Sequence, residues 1–260
     1  MLNHAIYRFA AMFVFSFFFI ALSGIPDAIA QQEVEVDCIA DTMFSGHSTE
    51  HTTNCGARTS LRVKGWQGIV VFKFDMSLLE ETRVDAATLK VFCKSITGDA
   101  ASPLDLADLQ ISTISSDWIE GDGDYTVTED SSTYDYPGGD LGMEWAKDDT
   151  DGLGRNGVLV NVEDVINGNG DSVLNQPIDE ATFEMGEWTE IPLDPEVVQA
   201  IIDGEGYGIV VWQPTIGINL DLASREDAGG QNTASLIVRG RGVAVEPGGK
   251  LVSTWGKMKK

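Results

Sequence analysis

Two stretches of the chain decide its fold: residues 69–75, which read IVVFKFD, and residues 88–94, which read TLKVFCK. In the second stretch apolar and polar residues alternate, which is the period of a strand that buries one of its faces. The first stretch is rich in β-branched and aromatic residues, which favour strands. We therefore predict two β-strands, with Phe72 pointing inward from one and Val91 from the other.

The same period recurs on both sides of these strands. Further short strands are predicted at residues 34–40, 59–64, 109–114, 189–193, 208–212, 218–222 and 234–239. Only residues 195–203 (PEVVQAIID) have helical spacing, with Pro195 in the first turn and Gly204 after the end. The pattern predicts an all-β fold, a single β-sandwich or jelly roll of mostly antiparallel strands with one short helix.

The first 30 residues have the parts of a secretory signal peptide. Arg8 supplies the basic region, residues 9–22 form an apolar run, and residues 28–30 (AIA) form a small-x-small cleavage site. A membrane anchor is the alternative, but the run is about 14 residues long and a span needs roughly 20. We expect a signal peptide at 1–30, a secreted, extracellular or cell-surface domain at 31–243 without a membrane span, and a short basic tail at 244–260.

Charge is distributed unevenly along the chain. The 260 residues include 17 basic and 41 acidic ones, for a net charge of −24. Such a balance argues against nucleic acid as a partner, because a phosphate backbone is bound by clusters of basic residues. The basic residues are concentrated, with seven bases against four acids in residues 58–94, whereas residues 99–196 contain 25 acids and two bases.

Strand alternation predicts that most of these basic residues lie on one surface. If the strands at 59–64, 69–75 and 88–94 share one sheet, its outer face carries five bases, one acid and Phe92. The pattern fits a solvated face that protects the sheet from aggregation, or a shallow site for an anionic ligand. The candidate ligand contacts are basic residues in or beside these strands: Arg58, Arg62, Lys64, Lys73 and Lys90.

The cysteines are predicted to have a structural role, and the chain lacks recognisable catalytic motifs. Export permits disulfides, so one bridge is expected among Cys38, Cys55 and Cys93, although the sequence does not select the pair. No CxxC spacing is present to hold a tetrahedral metal ion. Neither a G-x-S-x-G motif nor another recognisable nucleophile arrangement occurs, so no catalytic residues are predicted and the protein is not expected to be an enzyme.

Seven short segments, in order along the chain, resemble the motifs of one family. They are ADT (40–42), NCG (54–56), SLRV (60–63), FKFDMS (72–77), AATLKV (86–91), DWIEG (117–121) and SRE (224–226). Together they resemble the DNRLRE-domain family, which overlaps carbohydrate-binding module family 96. Cys55 stands where the family pattern has an aromatic residue.

The resemblance implies a β-jelly-roll on a secreted or cell-surface protein, with an alginate-like acidic polysaccharide held by basic residues. The leading prediction is therefore a non-catalytic module that binds an anionic polysaccharide through the basic sheet face. The alternative is a structural or adhesive cell-envelope domain that binds a protein partner and has no sugar site. Trp66 and Trp145, which lie in predicted loops, are the candidates for exposed stacking residues.

A structural Ca²⁺ ion is also predicted. Asp41 in the first strand and Glu226 before the last strand would meet where the terminal strands are neighbours, and carboxylates are ligands that Ca²⁺ prefers. Alternatively, Arg225 and Glu226 make only a surface ion pair or cap a turn. Residues 167–171 (NGNGD) faintly resemble a calcium loop but are interpreted as a solvent loop.

Overall fold

A computed structural model describes residues 32–80, 82–97, 109–138, 145, 162–166, 176–178, 183–213 and 219–241. The predicted signal peptide, the loop at 167–171 and the C-terminal tail lie outside these residues. The described strands are β1 (Gln32–Phe44), β2 (Ser60–Val63), β3 (Ile69–Phe74), β4 (Arg83–Thr97), β5 (Gln110–Thr113), β6 (Gln176–Pro177), β7 (Glu187–Leu193), β8 (Ile209–Trp212), β9 (Asn219–Ala223) and β10 (Ser235–Arg241). The same residues include one α-helix, α1 (Pro195–Ile202), which lies between β7 and β8.

The strands form two antiparallel layers that share β1. Residues 32–37 of β1 pair with β10, and after an irregularity between Cys38 and Ala40 the strand continues along β3. The first sheet consists of the first half of β1, β10, β4, β7, β9 and β2. The second sheet consists of the second half of β1, β3, β8, β5 and β6. The predicted all-β sandwich of mostly antiparallel strands is confirmed, with one short α-helix among the described residues.

The main core lies between the two sheets. Leu61, Leu89 and Leu222 of the first sheet and Phe72 and Val211 of the second are fully buried in it. Their neighbours in β2 and β4 point to the other side, so period two holds in the first sheet. Burial of a large apolar side chain contributes about 1.5–3 kcal/mol, so this alternation is what makes the two sheets pack together.

A second core covers the outer face of the second sheet. Ile69 and Val71 alternate with the inward residues of β3 and pack instead with Phe44, Trp118 and Trp212. The cover also includes Ile114, Trp145, Val162, Val165 and Ile166. The continuous apolar run IVVF arises because both faces of β3 are buried. Trp145 is 1% exposed, so its prediction as an exposed stacking residue was wrong.

Helix α1 begins and ends where its sequence indicates. The side chain of Asp194 accepts a hydrogen bond from the Glu196 N–H at 3.0 Å, and Pro195 occupies the first turn. Val197 and Val198 are buried against the main core. In the described parts of the chain, no helix has both the length and the apolar content needed to cross a membrane.

The three cysteines are unpaired and buried. Cys38 lies in β1, Cys93 lies in β4 and Cys55 lies in the turn before β2, so the thiols belong to three separate elements. Each acts as a small apolar side chain of the main core. The predicted disulfide is therefore wrong for this structure.

Candidate functional site

The five predicted basic contacts do not share one surface. Arg62 in β2 and Lys90 in β4 lie on the outer side of the first sheet, and Lys64 directly follows β2. Lys73 lies in β3, which belongs to the second sheet, and Arg58 precedes β2. The premise that all three strands share one sheet was wrong, because period two gives the face of a strand but not the sheet to which it belongs.

The two separated bases are engaged elsewhere. Lys73 Nζ donates to Asp117 Oδ1 at 2.7 Å and to the Trp118 carbonyl at 3.0 Å. Arg58 Nη1 donates to Asp124 Oδ1 at 2.7 Å, and its guanidinium lies 4.1 Å from the centre of the Tyr125 ring. Both side chains therefore fasten loops, and neither adds to a basic stripe on the first sheet.

The outer side of the first sheet, which we call the open face, combines basic and aromatic residues. Its residues are Arg62 of β2, Lys90, Phe92 and Lys94 of β4, and Trp188 of β7, with Lys64 directly after β2 at the edge of the sheet. Phe92 and Trp188 are directly opposite in the register of β4 and β7, and their rings meet edge to face with centroids 5.5 Å apart. Trp188 is 39% exposed, and Lys90 Nζ lies 5.1 Å from the centre of its ring.

Acidic residues lie among these bases. Lys90 is opposite Glu190 in the strand register, and its Nζ is 3.8 Å from Glu35 Oε1. Arg62 Nε donates to Asp221 Oδ1 at 2.9 Å. Lys94 Nζ donates to Asp227 Oδ1 at 2.6 Å and to the Thr59 carbonyl at 2.8 Å. Lys64 makes no ion pair with any described residue.

The aromatic pair was not identified from the sequence. Phe92 was predicted to point outward, but nothing in the chain alone places Trp188 beside it, because β4 and β7 are far apart in sequence. The register of the two strands creates the contact. Trp66, the other predicted stacking residue, is 37% exposed.

The second candidate site is an acidic cluster of three residues, Asp41, Glu120 and Glu226. One carboxylate oxygen from each lies within 4.8 Å of the other two. The structure thus brings together the predicted pair Asp41 and Glu226 and adds Glu120, which the sequence did not assign. Glu120 belongs to the DWIEG segment, so its place in a motif was the available signal.

Strand β1 and the turn after β9 position two of the acids. Asp41 lies in the paired part of β1, opposite Phe72 of β3. Glu226 follows Ser224, whose hydroxyl accepts a hydrogen bond from the Glu226 N–H at 3.1 Å and donates to the Arg58 carbonyl. The turn between β9 and β10 is therefore fastened to the segment that precedes β2.

Asn54 holds the loop that carries Glu120. Its Nδ2 donates to the carbonyls of Glu120 at 2.7 Å and Ser132 at 2.9 Å, and its Oδ1 accepts from the Gly123 N–H at 2.8 Å. Gly121 has φ +73°, and a Cβ there would lie 2.4 Å from Ser131 Cβ. The glycine after Glu120 is thus required by both backbone conformation and space.

Arg225 is the cation beside the cluster. Its Nη1 lies 3.0 Å from both oxygens of Glu120, and its backbone N–H donates to Asp41 Oδ2 at 2.9 Å. The Asp41 N–H donates to Glu120 Oε1 at 2.7 Å. Among the described residues, neither Asp41 Oδ1 nor Glu226 Oε2 has a hydrogen-bond partner, although both atoms are buried.

Burial dominates the electrostatics of Asp41. The residue is 0% exposed, and burial raises the pKa of its carboxyl from 3.8 to about 8. The Arg225 N–H opposes this shift, whereas Glu226 and Glu120 add to it. The three carboxylates offer hard oxygen ligands, and the two oxygens without partners fit an additional bound cation.

No family model matches the chain, and no curated protein matches it.

Proposed function

We propose that this chain is a secreted or cell-surface, non-catalytic module that binds an anionic polysaccharide on the open face. The observation that carries the proposal is the arrangement of Lys90 beside the exposed Trp188 ring, with Phe92 against that ring. An aromatic ring at the surface can stack on the apolar side of a sugar, and an ammonium beside it can bind the carboxylate of a uronate.

Three of the predicted basic contacts fit this surface. Lys90 lies at its centre, and Arg62 and Lys64 lie towards the β2 edge. Arg62 donates its Nε–H to Asp221 Oδ1. Because a guanidinium carries five N–H donors, this bond leaves Arg62 with donors for a ligand. Exposed ion pairs contribute little individually, so several bases must act together on a polymer that presents repeated carboxylates.

The charge of the whole chain sets the context for this binding. The net charge of −24 repels a polyanion. The open face carries three bases that are paired with acids, namely Arg62, Lys90 and Lys94. Affinity for an acidic polymer is therefore expected to fall steeply as salt screens the few attractive contacts. A neutral polymer would show little salt dependence.

Affinity electrophoresis tests the proposal. The protein is run through gels that contain alginate, pectin or a neutral glucan, and retardation by an acidic polymer alone is expected. Trp188→Ala should abolish most of the retardation, whereas Tyr136→Ala, which removes an aromatic side chain of similar exposure, should preserve it. If neither alginate nor pectin retards the protein, the proposal is overturned.

One observation favours a second candidate, a structural or adhesive cell-envelope domain that binds a protein. Glu35 and Glu190 lie beside Lys90, so the open face has mixed charge, and aromatic patches ringed by mixed charge are common in protein interfaces. If the protein partner is a second copy of the chain, sedimentation of the purified chain over a range of concentrations distinguishes the two functions, because it measures dimer formation. A dimer that Trp188→Ala dissociates, without retardation by any polymer, would favour the second candidate.

A further inference from the structure

We propose that Asp41, Glu120 and Glu226 bind one divalent cation of the calcium class that joins three distant segments of the chain. The site is separate from the open face and does not rest on the proposed sugar binding. Its ligands would come from β1, from the loop after β5 and from the turn between β9 and β10.

The convergence of the three acids is the first observation. Their oxygens lie within 4.8 Å of one another, although they are 79 and 106 positions apart along the chain (120 − 41 and 226 − 120). Like charges held this close repel each other unless a positive charge lies among them. Specific interactions maintain the arrangement, because Asn54 and Gly121 fix the Glu120 loop.

The buried oxygens without partners are the second observation. Asp41 is 0% exposed, and its Oδ1 has no partner among the described residues, nor has Glu226 Oε2. Buried polar atoms are nearly always satisfied in folded proteins. Arg225 contacts Glu120 through its guanidinium and Asp41 Oδ2 through its backbone, so it leaves these two atoms for another group.

The charge of the site selects a divalent ion. Three carboxylates and one guanidinium sum to −3 + 1 = −2 when all are ionised. Oxygen-only ligands fit hard cations, and Ca²⁺ accepts six to eight oxygens in flexible geometry, with water completing a protein site. Mg²⁺ demands near-ideal octahedral geometry and loses its water reluctantly, so it should bind this site more weakly.

Thermal unfolding of the full chain tests the proposal in chelator, in Ca²⁺ and in Mg²⁺. At free Ca²⁺ about 100 times Kd, the expected rise in Tm is roughly 5–10 °C, with a much smaller rise in Mg²⁺. Glu120→Gln and Glu226→Gln should remove the calcium-specific increment. Glu129→Gln changes the charge equally on the same loop, at an exposed position, and should retain it.

Two results would overturn the proposal. Equal increments with both ions would mean that the cations only screen the net charge. If the rise in Tm with Ca²⁺ survives both substitutions, the ion binds elsewhere. A proton on Asp41 would then satisfy the cluster in place of a cation. If a variant fails to fold, equilibrium dialysis of the unmodified chain with ⁴⁵Ca²⁺ decides: one saturable site that excess Mg²⁺ does not displace supports the proposal, and no saturable binding contradicts it.

Discussion

The outer faces of the two sheets are built from similar strands but have different surroundings. On the second sheet, Ile69 and Val71 are covered by a second core that includes Trp118 and Trp145. On the first sheet, Lys90, Phe92 and Trp188 remain at the surface, and the aromatic pair lies beside charged groups. We call the outer side of the second sheet the covered face. Trp118 and Trp145 therefore stabilise the fold on the second sheet, whereas Trp188 is partly exposed on the first.

The largest expected effect separates two tryptophans. Trp118→Ala removes a side chain that is 2% exposed and whose Nε1–H donates to the Tyr207 carbonyl at 3.0 Å. We expect it to lower the free energy of unfolding by about 3–5 kcal/mol. Trp188→Ala should lower the free energy of unfolding by about 1 kcal/mol, because it removes the edge-to-face contact with Phe92. Urea unfolding measures both, and equal losses would contradict the distinction between the faces.

The second effect concerns pH and the acidic cluster, which adjoins the covered face through the loop that carries both Trp118 and Glu120. The pKa of Asp41 is raised to about 8 in the folded chain from 3.8. Between these values the folded state holds a proton that the unfolded state has released. In chelator, stability should therefore fall as pH rises, by up to about 1.4 kcal/mol per pH unit between roughly pH 5 and 7.

Asp41→Asn provides the control for this pH dependence. The amide does not titrate, so the variant should lose less stability than the unmodified chain over the same pH interval. The charged groups that face Asp41 are Glu120, Glu226 and Arg225, and they are unchanged in both proteins. Parallel curves of unfolding free energy against pH would show that Asp41 does not carry the effect.

The third effect compares two glycines with positive φ. Gly121, with φ +73°, is crowded by Ser131 and Asn54, whereas Gly186, with φ +82° in the turn before β7, has nothing within 4 Å of a Cβ. Gly121→Ala should lower the free energy of unfolding by about 2–3 kcal/mol, because strain and a clash add together. Gly186→Ala should cost about 1 kcal/mol from strain alone. Urea unfolding of both variants checks this, and a smaller loss for Gly121→Ala would be the contrary result.

How much of this the sequence predicts depends on which faces of a strand are buried. TLKVFCK alternates because one side of β4 is open, so its inward and outward residues were predicted correctly. IVVFKFD does not alternate clearly because both sides of β3 are buried, so the cover over Ile69 and Val71 was missed. Lys73 was assigned to the same surface as Arg62 and Lys90, but β3 belongs to the second sheet. The alternation within a strand does not show which distant strands it pairs with.

The candidate sites show the same limit. Asp41 and Glu226 were expected to meet because terminal strands neighbour each other, and β1 does pair with β10. Glu120 reaches them through a loop whose path depends on hydrogen bonds from Asn54, which no periodicity reveals. The contact of Phe92 with Trp188 likewise depends on the register between two strands distant in sequence.

The most direct test of sugar binding on the open face is a pair of dissociation constants for alginate oligosaccharides at low salt. Lys90→Ala and Lys73→Ala remove the same charge, each from beside a tryptophan, but on opposite faces. If the open face binds the sugar, Lys90→Ala should weaken binding by about five- to tenfold, in line with roughly 1 kcal/mol for an exposed charged contact. Lys73→Ala should change the constant by less than about twofold. Equal weakening by the two substitutions, or none by Lys90→Ala, would contradict sugar binding on the open face.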